Sequence, residues 1–204
     1  MLIGGLQRSS LIDYPGIISA VVFAQGCNFR CPYCHNPELV YPDEYRTPIP
    51  ENDVLLLLKK RRRLLDGVVI SGGEPLLQKD LGPFLKRVKA IGYRVKLDTN
   101  GSLPDLLSAV IQERLVDFIA MDIKAPFRKY EAVAGVRVNT DAIKESIRLI
   151  VQSGVKHQFR TTKADILLDD KDIEEICKCV GNAACYVVQQ MNPYQGKSHE
   201  GKSE

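Results

Sequence analysis

No run of apolar residues in this chain approaches the roughly 20 that a membrane-crossing helix requires, so a helical membrane protein is not expected. Neither sign of charge dominates. The formal net charge of +3 is too mild to argue for a nucleic-acid or membrane partner. The opening residues Met1-Leu2-Ile3-Gly4-Gly5 lack a basic start followed by an apolar stretch, and so do not read as a signal peptide. Solenoid-type repeats are missing, and low complexity is confined to the last residues. A cytoplasmic protein with reduced cysteines is the expectation that follows. Three of the six cysteines fall within eight residues, and in a reducing compartment such crowding favours metal binding over a disulfide framework.

What is present is a chain of 204 residues, 45% of them apolar, which suits one domain with a sizeable core. Short β-rich runs alternate with helical ones. Residues 17–24 are apolar and β-branched between glycines and read as a buried strand. Further strands are expected at 68–70, 94–97, 118–121, 158–161 and 186–189, and helices at 53–65, 79–90, 103–113, 141–152 and 171–180. Gly92 stops the second helix, and Pro104 sits in the first turn of the third. Six such alternations imply parallel strands with right-handed crossovers. An eight-unit barrel needs about 250 residues, so the expected fold is α/β, an open partial (β/α)6 barrel spanning residues 1–193, with a flat doubly wound sheet as the alternative. Residues 194–204 read as a disordered tail. In either architecture the loops at the C-terminal ends of the strands form the active face, and every polar motif discussed here lies at such an end.

The segment Gly26-Cys27-Asn28-Phe29-Arg30-Cys31-Pro32-Tyr33-Cys34-His35-Asn36-Pro37 leaves the first expected strand. Three thiolates spaced in this way can occupy three corners of an iron–sulfur cubane. No fourth thiolate is near, which leaves one iron open to an exogenous ligand, as a catalytic cluster needs. The competing reading is a structural zinc site made by the three cysteines and His35. The Cys-x3-Cys-x2-Cys spacing, with aromatic Tyr33 before the last cysteine, resembles the signature of the radical S-adenosylmethionine superfamily. That resemblance implies one [4Fe–4S] cluster on Cys27, Cys31 and Cys34, acting as radical initiator. It also implies S-adenosylmethionine chelated at the open iron and cleaved to a 5′-deoxyadenosyl radical. The continuation Cys34-His35-Asn36-Pro37 is similar to glycyl-radical-enzyme activases. The lead-in from Gly4 to Gly16 (GGLQRSSLIDYPG) resembles the branch that activates anaerobic ribonucleoside-triphosphate reductase.

Ser71-Gly72-Gly73-Glu74-Pro75 follows a strand. Alone it is a plain β-to-α turn. Beside the cysteine signature it resembles the superfamily's Gly-Gly-Glu element, and Gly72, Gly73 and Glu74 are then expected to grip the methionine amino group. Asp98-Thr99-Asn100-Gly101 ends the next strand and Asp122-Ile123-Lys124 the one after. Taken singly these are a common turn and a surface ion pair. Together they resemble elements of the pyruvate formate-lyase activating enzyme. The resemblance implies Asp98, Thr99 and Asp122 as ligands of Na+ or K+, with the Ala120 carbonyl a fourth, and Lys124 as a contact to the cofactor. Arg160 could be an anion clamp or a barrel-mouth ion pair. The relative's late histidine has no counterpart in Gln189-Gln190-Met191-Asn192, which leaves the adenine contacts open.

Cys177, Cys179 and Cys185 read as core or incidental, the first two facing different sides of one helix. The basic run from Lys59 to Arg63 reads as a solvated helix end, with docking of an acidic partner as the minor alternative. His157 reads as structural, and His199 falls in the tail. The resemblance implies an activase that takes hydrogen from a backbone glycine of a glycyl radical enzyme, with a flavodoxin- or ferredoxin-type electron donor. The rival readings are a radical enzyme acting on a small molecule, similar to 7-carboxy-7-deazaguanine synthase, and a non-catalytic iron–sulfur or zinc module.

Overall fold

The computed structural model describes residues 1–181 and 185–191. The expected tail, Asn192 and His199 lie outside these residues. A seven-stranded sheet runs in the order β1 (Ile3–Ser10), β2 (Ser19–Ala24), β3 (Gly67–Gly72), β4 (Arg94–Thr99), β5 (Phe118–Asp122), β6 (Lys156–Lys163) and β7 (Tyr186–Gln190). From β2 onward every neighbouring pair is parallel. These are the six expected strands, with β1 added antiparallel against β2. The sequence reading has no strand at β1 because IGGLQRSS offers two glycines and a polar run in place of alternation. The glycine at position 4 is needed. A Cβ there would meet Leu39 Cδ2 and Gln25 Cγ at 2.5 Å.

The connections carry helices α1 (Glu51–Lys60), α2 (Leu81–Ala90), α3 (Pro104–Gln112), α4 (Tyr130–Ala134), α5 (Thr140–Gln152) and α6 (Asp170–Val180). Their ends follow local chemistry. Asn139 accepts from the Asp141 and Ala142 amides at the start of α5. Asp169 and Asp172 form a reciprocal capping box on α6. The first helix stops five residues short of the expected limit. Arg62 turns back to donate to the carbonyls of Ile91 at 3.2 Å and Gly92 at 3.1 Å, its guanidinium lying over the Tyr93 ring. The short α4 was not expected. It closes on Gly135 in the left-handed region.

Alternation along the strands separates two cores. Ala20, Val22, Val68 and Ile70 join one cluster with residues from all six helices. Val21 and Val69, on the opposite face, pack with Tyr14, whose ring lies 5.8 Å from that of Phe118. The helices therefore cover a single face, whereas a doubly wound sheet would carry them on both. This is the partial-barrel arrangement. The loop between β1 and β2 crosses the helix-free face with Tyr14 as its plug. Among the described residues β7 pairs only with β6, so the sheet does not close.

Candidate functional site

The C-terminal ends of β2 through β7 surround a cavity of about 310 Å³. One wall is the loop that follows β2. It contributes Cys27, Cys31 and Cys34, all free and half-buried, with Phe29 and Tyr33 between them. Backbone contacts fix the loop from several sides. The Arg30 amide donates to the Ala134 carbonyl at 2.8 Å, and the Gly26 amide donates to Leu39 at 2.7 Å. The Arg30 guanidinium reaches back to the carbonyls of Cys27 at 2.6 Å and Phe29 at 2.8 Å. Close approach requires glycine on the far side, where a Cβ on Gly135 would lie 2.1 Å from the Arg30 carbonyl oxygen. Burial pushes the Cys27 thiol up to about 11 and also raises Cys31 and Cys34. Metal binding at these sulfurs would thus release protons.

The opposite wall begins at the end of β3, where Ser71, Gly72 and Gly73 line the cavity. Gly72 has φ +113°, and Cβ atoms added at Gly72 and Gly73 would fall 2.4 Å from the Ala24 nitrogen and 2.0 Å from the Gly26 oxygen. The two glycines let the end of β3 lie directly on the start of the cysteine loop. Glu74 does not face the cavity as expected. Its carboxylate is fully buried and accepts from Thr99 Oγ1 at 2.9 Å, the Asn100 amide at 2.6 Å and the Leu76 amide at 3.1 Å. Burial raises it to about 7 against those three hydrogen bonds. Glu74 therefore ties the glycine loop to the end of β4. Asn100 continues the link, donating through Nδ2 to Asn28 Oδ1 in the cysteine loop at 2.9 Å.

Asp98, Asp122, Lys124 and Arg160 meet at the cavity floor. Arg160 Nε donates to Asp122 Oδ1 at 2.9 Å, and Lys124 Nζ donates to Asp122 Oδ2 at 3.1 Å. Burial would raise the Asp122 carboxyl, but Arg160 and Lys124 outweigh it and hold it well below the usual carboxylate range. For Lys124, burial is likewise outweighed by Asp122, and its ammonium is stabilised. Arg160 Nη2 also reaches Asp98 Oδ2, at 3.6 Å. The expected cation ligands thus already hold side-chain partners, while Thr99 donates to Glu74 and Ala120 is fully buried within β5.

Several lining residues carry no assigned role in the sequence reading. Ser71, Thr162 and Gln189 sit at strand ends, and Asp13 arrives from the loop that carries Tyr14. Position could have flagged the strand-end residues. Asp13 lies in the lead-in segment, whose resemblance marks the branch without placing that residue at the cavity. Lys96 was missed as well, although it stands two residues before Asp98. Gln189 occupies the wall where a late histidine was sought. Cys177, Cys179 and Cys185 are exposed and not among the lining residues. His157 contacts the Val155 carbonyl through Nδ1 at 2.8 Å and meets the Phe159 ring edge-on, a structural placement.

The donor set fits a cluster better than a single ion. A structural zinc site draws four ligands around one ion, whereas the loop offers three free thiols in succession. A cubane instead spreads its thiolates over separate corners. The Tyr33 hydroxyl, on the cavity wall, is buried without a hydrogen-bond partner among the described residues. Such an orphan is what a bound polar ligand would satisfy. No helix among the described residues is long and apolar enough to cross a membrane.

Comparison with known proteins agrees with this geometry. The profile of the Radical SAM superfamily matches residues 21–180. A Methanocaldococcus jannaschii protein, provisionally named a glycyl-radical enzyme activating enzyme, is 37% identical over 98% of this chain and 84% of its own length. The pyruvate formate-lyase-activating enzyme of Clostridium pasteurianum is 29% identical over 94% of this chain and 81% of its own. In fold, 90% of the chain superposes on Streptococcus suis SuiB bound to S-adenosylmethionine, with a TM-score of 0.69 and 18% identity, and spans 43% of that protein.

Proposed function

The chain belongs to the radical S-adenosylmethionine superfamily, whose [4Fe–4S] cluster and S-adenosylmethionine are its cofactors, and on that premise we propose that the cavity generates a radical for transfer to a glycine of a partner enzyme. When bound, these two groups supply an electron and a 5′-deoxyadenosyl radical. The chain's own residues hold and orient them. Cys27, Cys31 and Cys34 are the cluster ligands. The Gly72–Gly73 backbone and the ring of Tyr33 would wall the cofactor, and Lys124 and Arg160 would be the cations available to its carboxylate. Asp98 is fixed nearby. Glu74 acts at one remove, by holding Thr99 and Asn100.

The observation that carries this reading is the convergence of three free thiols from one loop on a cavity at the C-terminal ends of parallel strands, in a sheet that among the described residues does not close. Hydrogen abstraction requires contact between the radical and its target, and exclusion of water requires a cover. A protein substrate whose glycine-bearing loop enters the open side provides both. The partner we favour is anaerobic ribonucleoside-triphosphate reductase. The lead-in carrying Asp13 and Tyr14 supports this choice, because it resembles that branch and delivers Asp13 to the cavity. An acidic flavodoxin or ferredoxin would supply the electron.

Electron paramagnetic resonance on an anaerobic mixture tests the proposal. With the reductase present, a carbon-centred doublet should appear and should vanish when the partner's glycine is replaced by alanine. Cofactor cleavage should be slow and uncoupled without the partner, and faster with it. A second reading rests on 7-carboxy-7-deazaguanine synthases such as that of Methanopyrus kandleri, 33% identical over 55% of this chain. Absence of the doublet with every glycyl radical enzyme tried, alongside turnover of a small molecule, would favour that reading.

A further inference from the structure

Asp98 and Asp122 face three cations of this chain's own, and the third of these, Lys96, has no place in the motifs that point to the site. A strand sends residues i and i+2 to one face, so Lys96 on β4 points the same way as Asp98. Its side chain is 2% exposed, and its ammonium pairs with Asp98 Oδ1. In register it lies between Val69 of β3 and Phe118 of β5, both apolar. A charge walled in this way is stable only while its partner stays.

The oxygens can be accounted for one by one. Asp98 Oδ1 holds Lys96. Asp98 Oδ2 accepts from Ser71 Oγ at 2.9 Å and lies 3.6 Å from Arg160 Nη2. Asp122 Oδ1 holds Arg160, and Asp122 Oδ2 holds Lys124. Thr99 Oγ1 donates to Glu74 and accepts from the Gly101 amide at 3.1 Å. A bare Na+ or K+ would need several of these oxygens as ligands. It would also sit beside a buried ammonium, where like-charge repulsion is weakly screened. The monovalent metal ion that the family resemblance implies does not fit this donor set.

We propose that Lys96 is a tethered replacement for that ion, a positioning residue whose ammonium neutralises and fixes Asp98 and so frees cofactor binding from any requirement for Na+ or K+. This rests on the reading of the cavity as the S-adenosylmethionine site. A covalently attached cation carries no entropy of capture, and its supply does not vary with the medium.

The test is calorimetric titration of S-adenosylmethionine into the reconstituted holoenzyme, at fixed ionic strength, in potassium, sodium or choline chloride. Wild-type affinity should agree within about twofold across the three salts. In Lys96→Ala, affinity in choline should fall at least about tenfold and should recover several-fold in potassium or sodium, because the vacated oxygens then accept the free ion. A merely structural lysine would weaken binding equally in all three. Uniform weakening, an unchanged Lys96→Ala, or wild-type binding that depends on potassium each overturns the proposal. Thallium-205 resonance of the wild-type protein decides the matter without the variant and without the cofactor. Only the free-ion line is expected, and a bound line displaced by potassium would refute the role of Lys96. Loss of all cofactor binding in wild type would refute the reading of the cavity, and the thallium result would still judge Lys96.

Discussion

Replacing Gly73 by alanine should cost far more than its one methyl group. The residue is outside the left-handed region, so the backbone itself would tolerate alanine. Space would not. The new Cβ would stand 2.0 Å from the Gly26 carbonyl oxygen and 2.6 Å from the carbonyl carbon, and both atoms belong to backbone. Relief requires the two chains to part by more than about 1 Å, given the normal contact distances near 3.5 Å. Two hydrogen bonds hold them together, Gly73 N to Ala24 O at 2.9 Å and Glu74 N to Gly26 O at 2.8 Å. Losing both costs about 1 kcal/mol each, and overpacking adds about 1–3 kcal/mol. We expect Gly73→Ala to lose about 3–5 kcal/mol in anaerobic urea unfolding of the metal-free protein. Because the Cys27 nitrogen lies 3.2 Å from the same Cβ, iron content after reconstitution should fall too. Gly154 is the control. It has φ +71° with nothing within 4 Å of a Cβ, so alanine there pays only the left-handed backbone, about 1–2 kcal/mol. A Gly73→Ala protein within 1 kcal/mol of wild type, or no worse than Gly154→Ala, would refute the argument.

Glu74 makes a pH prediction. Its carboxyl is raised from 4.5 to about 7 by burial, so between those values the folded chain binds the extra proton and stability falls as pH rises, by about 3 kcal/mol in all. Glu74→Gln lacks this titration. Its deficit relative to wild type should therefore be about 3 kcal/mol smaller at pH 8 than at pH 4.5, and a deficit independent of pH would contradict the assignment. Tyr33→Phe should stabilise the metal-free protein by about 1 kcal/mol, since it removes an unpartnered buried hydroxyl, while weakening S-adenosylmethionine binding. Loss of stability in urea would count against it. Cys31→Ala should fail to retain the roughly four irons per chain of a cubane, whereas Cys177→Ala, at an exposed position outside the cavity lining, should keep them. Iron analysis after anaerobic reconstitution distinguishes the two.

How much of this was legible in the sequence depends on what a pattern encodes. The buried parallel strands were, because helices cover one face and the Tyr14 loop part of the other, which leaves them continuously apolar, as SAVVFA in β2 and GVVI in β3. The site's address followed, since the cysteine loop and the charged motifs all fall at strand ends. Elements held by neighbours were less readable. The edge strand β1 is polar and glycine-rich, and its pairing with β2 defines it. The turn of Glu74 away from the cavity was equally hidden, because the Thr99 and Asn100 groups that capture it lie a whole crossover later. The limit is clearest in β4. Arg94, Lys96 and Asp98 alternate with Val95 and Leu97, a pattern that reads as one solvated face and one buried face. In the structure Arg94 is exposed, Asp98 lines the cavity and Lys96 is buried. Alternation says which residues share a face, not what covers it. Here the helix-free face is covered by the chain's own hairpin loop at one end and lined by charges at the other. A lysine on that face can be buried only because Asp98 stands one pleat further along it. Its role is a property of the closed network, and no window of sequence contains all five of the network's charged residues.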